Sequence, residues 1–177
     1  MNERFEMEWG GRRYSLSPQG FYDTRTFLRP PEAIHRHLKT KSAKHLETVC
    51  QRERNVPLLL EFSRLAKDLA ELDLAEKITK QALSLAPRDP SAVARMAGIL
   101  RAKGQPKEAL EVIAHLPEKA QTPPLLTSRA AALCDLQLWS EADKVIERAL
   151  GKLKGSSAIE TAEASAILQR IRQAKGV

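Results

Sequence analysis

Cysteine is scarce in this 177-residue chain, with only Cys50 and Cys134 present. The two fall in different helical patterns, which argues against a disulfide framework and fits a reducing, cytoplasmic setting. No uninterrupted apolar stretch approaches the roughly 20 residues that a membrane-spanning helix needs, so no membrane partner is expected. Met1-Asn2-Glu3-Arg4-Phe5-Glu6 has no basic segment leading into an apolar run, so no secretory leader is expected either. Glycine and proline together are few, at 8 and 10 residues, while hydrophobic residues reach 42%, a balance that excludes wholesale disorder. Aromatics make up only 5%, and Phe5, Trp9, Tyr14, Phe21, Tyr22 and Phe27 all lie in the first thirty residues.

What the chain does have is a repeat. Asn55-Val56-Pro57, Asp89-Pro90 and Thr122-Pro123 each place a capping side chain before a proline at the start of an apolar run. These caps are 34 and 33 residues apart, and so are Ala75, Ala109 and Ala142. A period in the low thirties built from two helical patterns predicts a solenoid of helix pairs. In the first pair, Leu59, Phe62, Leu65, Ala66 and Leu69 form one buried stripe, and Ala75, Ile78, Ala82 and Leu85 the other. Val93, Met96, Ala97 and Leu100 are answered by Ala109, Val112, Ile113 and Leu116 in the second pair. Leu125, Leu126, Ala130 and Leu133 lead to Ala142, Val145, Ile146, Ala149 and Leu150 in the third.

Over residues 55–150 the chain resembles the tetratricopeptide repeat family. The resemblance is carried by the period, the Lys103-Gly104-Gln105 turn, the alanine opening each second helix, Ala82 and Ala149 near the helix ends, and Pro87 beyond. Leu59 and Leu100 replace the family's frequent aromatics, Ser63, Ala97 and Ala130 its glycine, and Gln137 the glycine of the third turn. The expected fold is therefore all-α, an α-α superhelix of tetratricopeptide-like hairpins, with a small β-hairpin and loop module in front. The expected segments are 1–30 (aromatic, partly β), 31–54 (basic helical connector), 55–150 (three helix pairs) and 151–177 (capping helix).

The resemblance implies a non-catalytic scaffold that binds a protein or peptide in a concave groove lined by the first helix of each pair. Carrying the groove positions across gives Leu60, Arg64 and Lys67, then Ala94, Gly98 and Arg101, then Thr127, Ala131 and Cys134, with Arg95 and Ser128 alongside. Some members clamp a terminal carboxylate with a lysine and asparagine set; here Leu60, Arg64, Arg95, Pro124 and Ser128 stand in those places, and the clamp is not reproduced. Arg64, Lys67, Arg95 and Arg101 would still suit an acidic segment. No motif sets an oligomeric state.

Charge points to a second reading. Residues 10–54 hold ten Lys/Arg against four Asp/Glu, whereas 56–177 hold eighteen against fifteen. Arg12, Arg13, Arg25 and Arg29 are interleaved with the aromatics, and Arg36, Lys39, Lys41 and Lys44 follow. That mixture would suit single-stranded RNA or DNA, with Tyr14 or Tyr22 stacking on bases. The simpler reading makes the aromatics a small core and the cations its wet outside. Phe5, Met7 and Trp9, then Tyr14 and Leu16, alternate with polar residues about Gly10-Gly11, which predicts a hairpin, with 17–31 mostly loop. A lone hairpin is marginal in water, so Phe5, Trp9, Tyr14 and Phe27 are expected to lie on helices 31–53 as a lid over the first repeat. Thr40-Lys41-Ser42 is a possible break there, with Ser42 as a cap.

Catalysis and metal binding find little support. His35, His37, His45 and Cys50 do not share a helix face, so neither zinc nor another cofactor is expected. Gly151-Lys-Leu-Lys-Gly155-Ser156 lacks the lysine and preceding strand of a phosphate loop. At the tail, Ser157 and Glu160 form a capping box, and Ala164, Ile167, Leu168 and Ile171 a stripe opposite Glu163, Gln169, Arg170 and Arg172. No enzyme motif is present, so the protein reads as not an enzyme.

Overall fold

A computed structural model describes residues 5–17, 20–153 and 158–176. Three strands, β1 (Glu6–Trp9), β2 (Arg12–Ser17) and β3 (Gly20–Asp23), precede eight helices: α1 (Glu32–Cys50), α2 (Val56–Asp68), α3 (Leu72–Leu85), α4 (Pro90–Ala102), α5 (Pro106–Ala114), α6 (Pro123–Asp135), α7 (Trp139–Lys152) and α8 (Ala158–Lys175). The fold is mostly helical with a small antiparallel sheet in front. Two compact units divide it, residues 1–82 and 83–177, and each is described separately.

In the first unit the sheet runs β1-β2-β3, with Met7 opposite Tyr14 and Leu16 opposite Phe21. Gly10 and Gly11 take positive φ at the hairpin turn, as the period-two pattern around them required. The strand β3 corrects the expectation of loop over 17–31: Phe21 and Asp23 are buried while Tyr22 is half-exposed, a pattern too short to read between Pro18 and the prolines that follow. Tyr14 and Phe21 form the sheet's share of the core at 2% exposure each. Trp9 lies against His37 of α1, with ring centroids 4.0 Å apart, and Phe21 against His35. Of the rings expected on α1, Trp9 lies against it and Tyr14 is buried, whereas Phe27 is 74% exposed and stacked on Tyr22; Phe21, not among those expected, packs on His35 instead.

Helix α1 is continuous. Ser42 is not a cap: its hydroxyl donates back to the Leu38 carbonyl at 2.8 Å and lies beneath Met7, and Thr40 donates likewise to Arg36. Such back-bonding satisfies a hydroxyl inside a helix without ending it. The Gln81 side-chain amide donates to the carbonyls of Cys50 and Glu53 at the end of α1. Between α2 and α3, Ser63 and Thr79 share a buried 2.7 Å hydrogen bond, so the serine in place of the family's glycine is paired rather than orphaned.

In the second unit α4 packs on α5 and α6, and α6 on α7 and α8. Ala97, Ala109, Ala130, Ala142 and Ala149 are fully buried, which lets neighbouring backbones approach closely. Asn55 and Asp89 cap α2 and α4 by accepting from Leu58 and Ala92 N–H. Thr122 makes no side-chain cap bond. Pro124 removes the second N–H of α6, leaving the threonine one fewer donor to meet. Of the predicted stripes, Leu85 departs, at 41% exposure. On α8, Ala164 and Ile171 are buried and Ile167 and Leu168 pack beside them, with Glu163, Gln169, Arg170 and Arg172 outside. Ser157 and the Glu160 side chain lie outside the described residues.

The turns inside the pairs carry a signal that the sequence hides. Ala70, Gly104 and Gln137 recur at the repeat spacing, and all three have positive φ, of 58°, 78° and 60°. Only one of them is glycine.

Candidate functional site

The first helices of the pairs are α2, α4 and α6. On α4 the expected groove positions remain open: Ala94, Arg95, Gly98 and Arg101 are each partly exposed beside a buried stripe of Val93, Met96, Ala97 and Leu100. On α6 the corresponding positions are closed. Thr127, Ala131 and Cys134 are buried, and Cys134 shares a core with Ala164 and Ile171 of α8, so these three correct the expectation of groove lining. On α2, Leu60 and Arg64 are half-exposed and Lys67 exposed. The Arg64 guanidinium donates to Glu61 at 3.0 Å and to Asp68 at 2.8 Å, both on its own helix.

Arg101 is placed differently. Its Nε donates across to Asp135 of α6 at 2.7 Å, and Arg170 of α8 donates from Nη1 to the other oxygen of the same carboxylate at 2.9 Å. Arg170 also stands 5.9 Å from the centre of the Trp139 ring, within cation–π range. Burial pushes the Asp135 carboxyl up, but the two guanidinium groups outweigh it and hold it below the usual carboxylate range. Neither Asp135 nor Arg170 is among the groove positions expected from the sequence. A signal was present: Asp68, Arg101, Asp135 and Arg170 alternate in sign at spacings of 33, 34 and 35 residues.

At the front of the first unit half of the eight sequence-predicted cations are committed, and Arg25 is exposed in the loop after β3. Arg12 pairs with Asp23, Arg13 with Glu6 and Glu8, Arg29 with Glu32 and Lys39 with Glu71. The N–H of Arg25, then that of Thr26 and the Arg12 charge, lower the Asp23 pKa against its burial. Arg36, Lys41 and Lys44 lie exposed on α1 with no ion pair among the described residues. Tyr14 is buried and cannot offer a face to a base, which corrects that part of the nucleic-acid reading; Tyr22 is half-exposed and stacked on Phe27. A recess of about 510 Å³ lies beside Trp9, Arg12, Leu28, Arg29 and Ile34.

Neither cysteine has the environment of a nucleophile. Cys50 and Cys134 are free and buried; burial chiefly pushes Cys50 up to about 11 and raises Cys134 as well, which keeps both as thiols. Among the described residues no group of three or more His, Cys, Asp or Glu side chains could hold a metal ion. No helix among them is long and apolar enough to cross a membrane.

A family model described as tetratricopeptide repeat matches residues 66–133. The helical hairpins within those residues match tetratricopeptide repeats. Solved repeat structures share the fold. The Sgt2 repeat domain from Aspergillus fumigatus is 21% identical with a TM-score of 0.55, over 69% of this chain and 82% of that one. The first repeat domain of Spaghetti (RPAP3), bound to the HSP90 peptide SRMEEVD, is 22% identical with a TM-score of 0.56, over 69% and 94%. A thermophilic repeat protein from Thermus thermophilus is 15% identical with a TM-score of 0.58, over 77% and 76%. No curated protein matches the chain in sequence.

Proposed function

We propose that the protein is a non-catalytic interaction module in which a first-helix face binds an acidic segment of a protein partner, with Arg95 and Arg101 on α4 as the main contacts; Arg64 and Lys67 are the cations of the α2 face in the first unit. The carrying observation is the open face of α4, where Ala94 and Gly98 leave room for a backbone between two half-exposed arginines. An acidic peptide bound to RPAP3, a protein of the same fold, supports the choice of ligand. Arg64 already serves two carboxylates of its own helix. Two buried free thiols suit the reducing cytoplasm in which we place the protein.

The test is selection of a phage-displayed random peptide library on the full chain. Asp- and Glu-rich sequences should be enriched, and the double variant Arg95→Gln, Arg101→Gln should lose them while keeping its helical circular dichroism. Enrichment of neutral or basic sequences, or enrichment indifferent to the double variant, would overturn the reading. Single-stranded RNA is the contrasting probe. Its affinity would have to fall steeply with salt and respond to Arg36, Lys41 and Lys44 instead.

A further inference from the structure

The cluster on α4, α6 and α8 is unbalanced. Two guanidinium groups, Arg101 and Arg170, converge on the single carboxylate of Asp135, leaving a net charge of one positive unit. Each arginine gives Asp135 one hydrogen bond out of the five N–H donors that a guanidinium carries. Neither makes the two-pronged contact that an arginine forms with a carboxylate meeting it face on. The side chains of Arg101, Asp135 and Arg170 are 25%, 25% and 48% exposed, so solvent and solutes reach the cluster. Trp139 lies against Arg170 and limits where its guanidinium can go.

We propose that this cluster is a carboxylate seat: an Asp or Glu side chain of a partner segment binds between Arg101 and Arg170, and Asp135 is its internal competitor. The inference rests on the acidic-segment reading above and adds Arg170 as a contact and Asp135 as the residue that limits affinity. Before a partner arrives, Asp135 holds both arginines in place and keeps α4, α6 and α8 in register. When a second carboxylate joins, two positive and two negative groups balance, and the unused donors of both forks are filled. Removing the Asp135 charge while keeping its shape leaves two uncompensated arginines. A unit charge about 5 Å away in a water-exposed setting changes affinity about fivefold.

The experiment follows the arginine Nε–H signals of the ¹⁵N-labelled full chain while hexaglutamate, and separately hexaglutamine, is titrated at low salt. Hexaglutamate should move the Arg101 and Arg170 signals and hexaglutamine should not. Asp135→Asn should bind hexaglutamate about fivefold more tightly, and Arg170→Gln several-fold more weakly, each with a dispersed amide spectrum that reports an intact fold. If hexaglutamate moves only Arg64 or Arg95, the seat is wrong while the acidic-partner reading stands. If no arginine signal moves, both fall. If Asp135→Asn folds but binds no more tightly, Asp135 is a structural staple and the competitor role is overturned.

Discussion

The front sheet and the second unit use charge in different ways. In the sheet and its loop, cations pair with carboxylates on the same or the next element: Arg13 with Glu6 and Glu8, Arg12 with Asp23, Arg29 with Glu32. In the second unit the pairs tie segments distant in sequence: Arg101 and Arg170 to Asp135, Lys175 to Asp143, and Arg148 to Glu118. Their cores differ too. The sheet depends on two large rings, Tyr14 and Phe21, over α1, whereas the second unit repeats small alanines against Leu, Ile and Val. A fold that rests on two rings is sensitive at two positions, and one built from many small contacts spreads the load. Charges that only stiffen a hairpin are spent locally, while charges shared between helices stay within reach of a third party.

The largest effect should come from the sheet's rings. Phe21→Ala leaves a cavity where a fully buried ring stood and should cost the first unit about 3–5 kcal/mol. Amide exchange should speed up first in β2, β3 and α1, with α6 and α7 as the internal reference. Equal loss in all of these elements would mean that the sheet and the second unit do not differ in the way described.

Gly20→Ala comes next. Gly20 sits at φ +105°, and a β-carbon there would stand 2.6 Å from His35 Nε2, so the variant should lose about 1–3 kcal/mol from backbone strain plus the overlap. A melting temperature equal to that of the parent would show that β3 is not pinned against α1. In the opposite direction, Gln137→Gly should stabilise the second unit by about 1 kcal/mol, because Gln137 holds a left-handed backbone that glycine adopts freely. Chemical denaturation of that variant reads the gain, and a loss would mean that the glutamine side chain matters more than its φ.

The smallest effect is a divergence with pH. Burial, then the charges of Arg29 and Lys39, lower the His35 pKa from 6.5, with Glu32 opposing. A lowered histidine stays neutral when folded, so as pH falls through 6.5 the unfolded chain takes up the proton first and the first unit loses stability. Asp135 is held below 3.8, so its contribution persists until pH falls through that range. Exchange protection of α1 should therefore weaken between about pH 7 and 5 while α6 is unchanged, and His35→Gln should flatten the response. A pH-independent α1 in the parent would contradict the burial of His35.

Much of the helical part was legible because its signals are local and repeated: Asn55 and Asp89 before prolines, alanines at a fixed period, apolar residues at helical spacing. What escaped depends on contacts distant in sequence or on conformation. Strand β3 spans four residues, and its burial comes from α1 rather than from its own pattern. Ser42 reads as a break until its hydroxyl is seen bonding within the helix. Ala70 and Gln137 conceal left-handed turns behind ordinary side chains. Arg101 was legible as a groove residue, but its partners Asp135 and Arg170 stand 34 and 69 residues further on, and only the turn of the repeat brings them together.

The central claim is that the first-helix faces, and α4 above all, are where a partner binds, and it is tested most directly by hydrogen–deuterium exchange of the full chain with and without a saturating acidic peptide from the library selection. The account predicts slowed exchange along α4, with β1 to β3 and α1 unchanged. Protection confined to the sheet and α1 would contradict it and move the binding surface to the basic front of the chain.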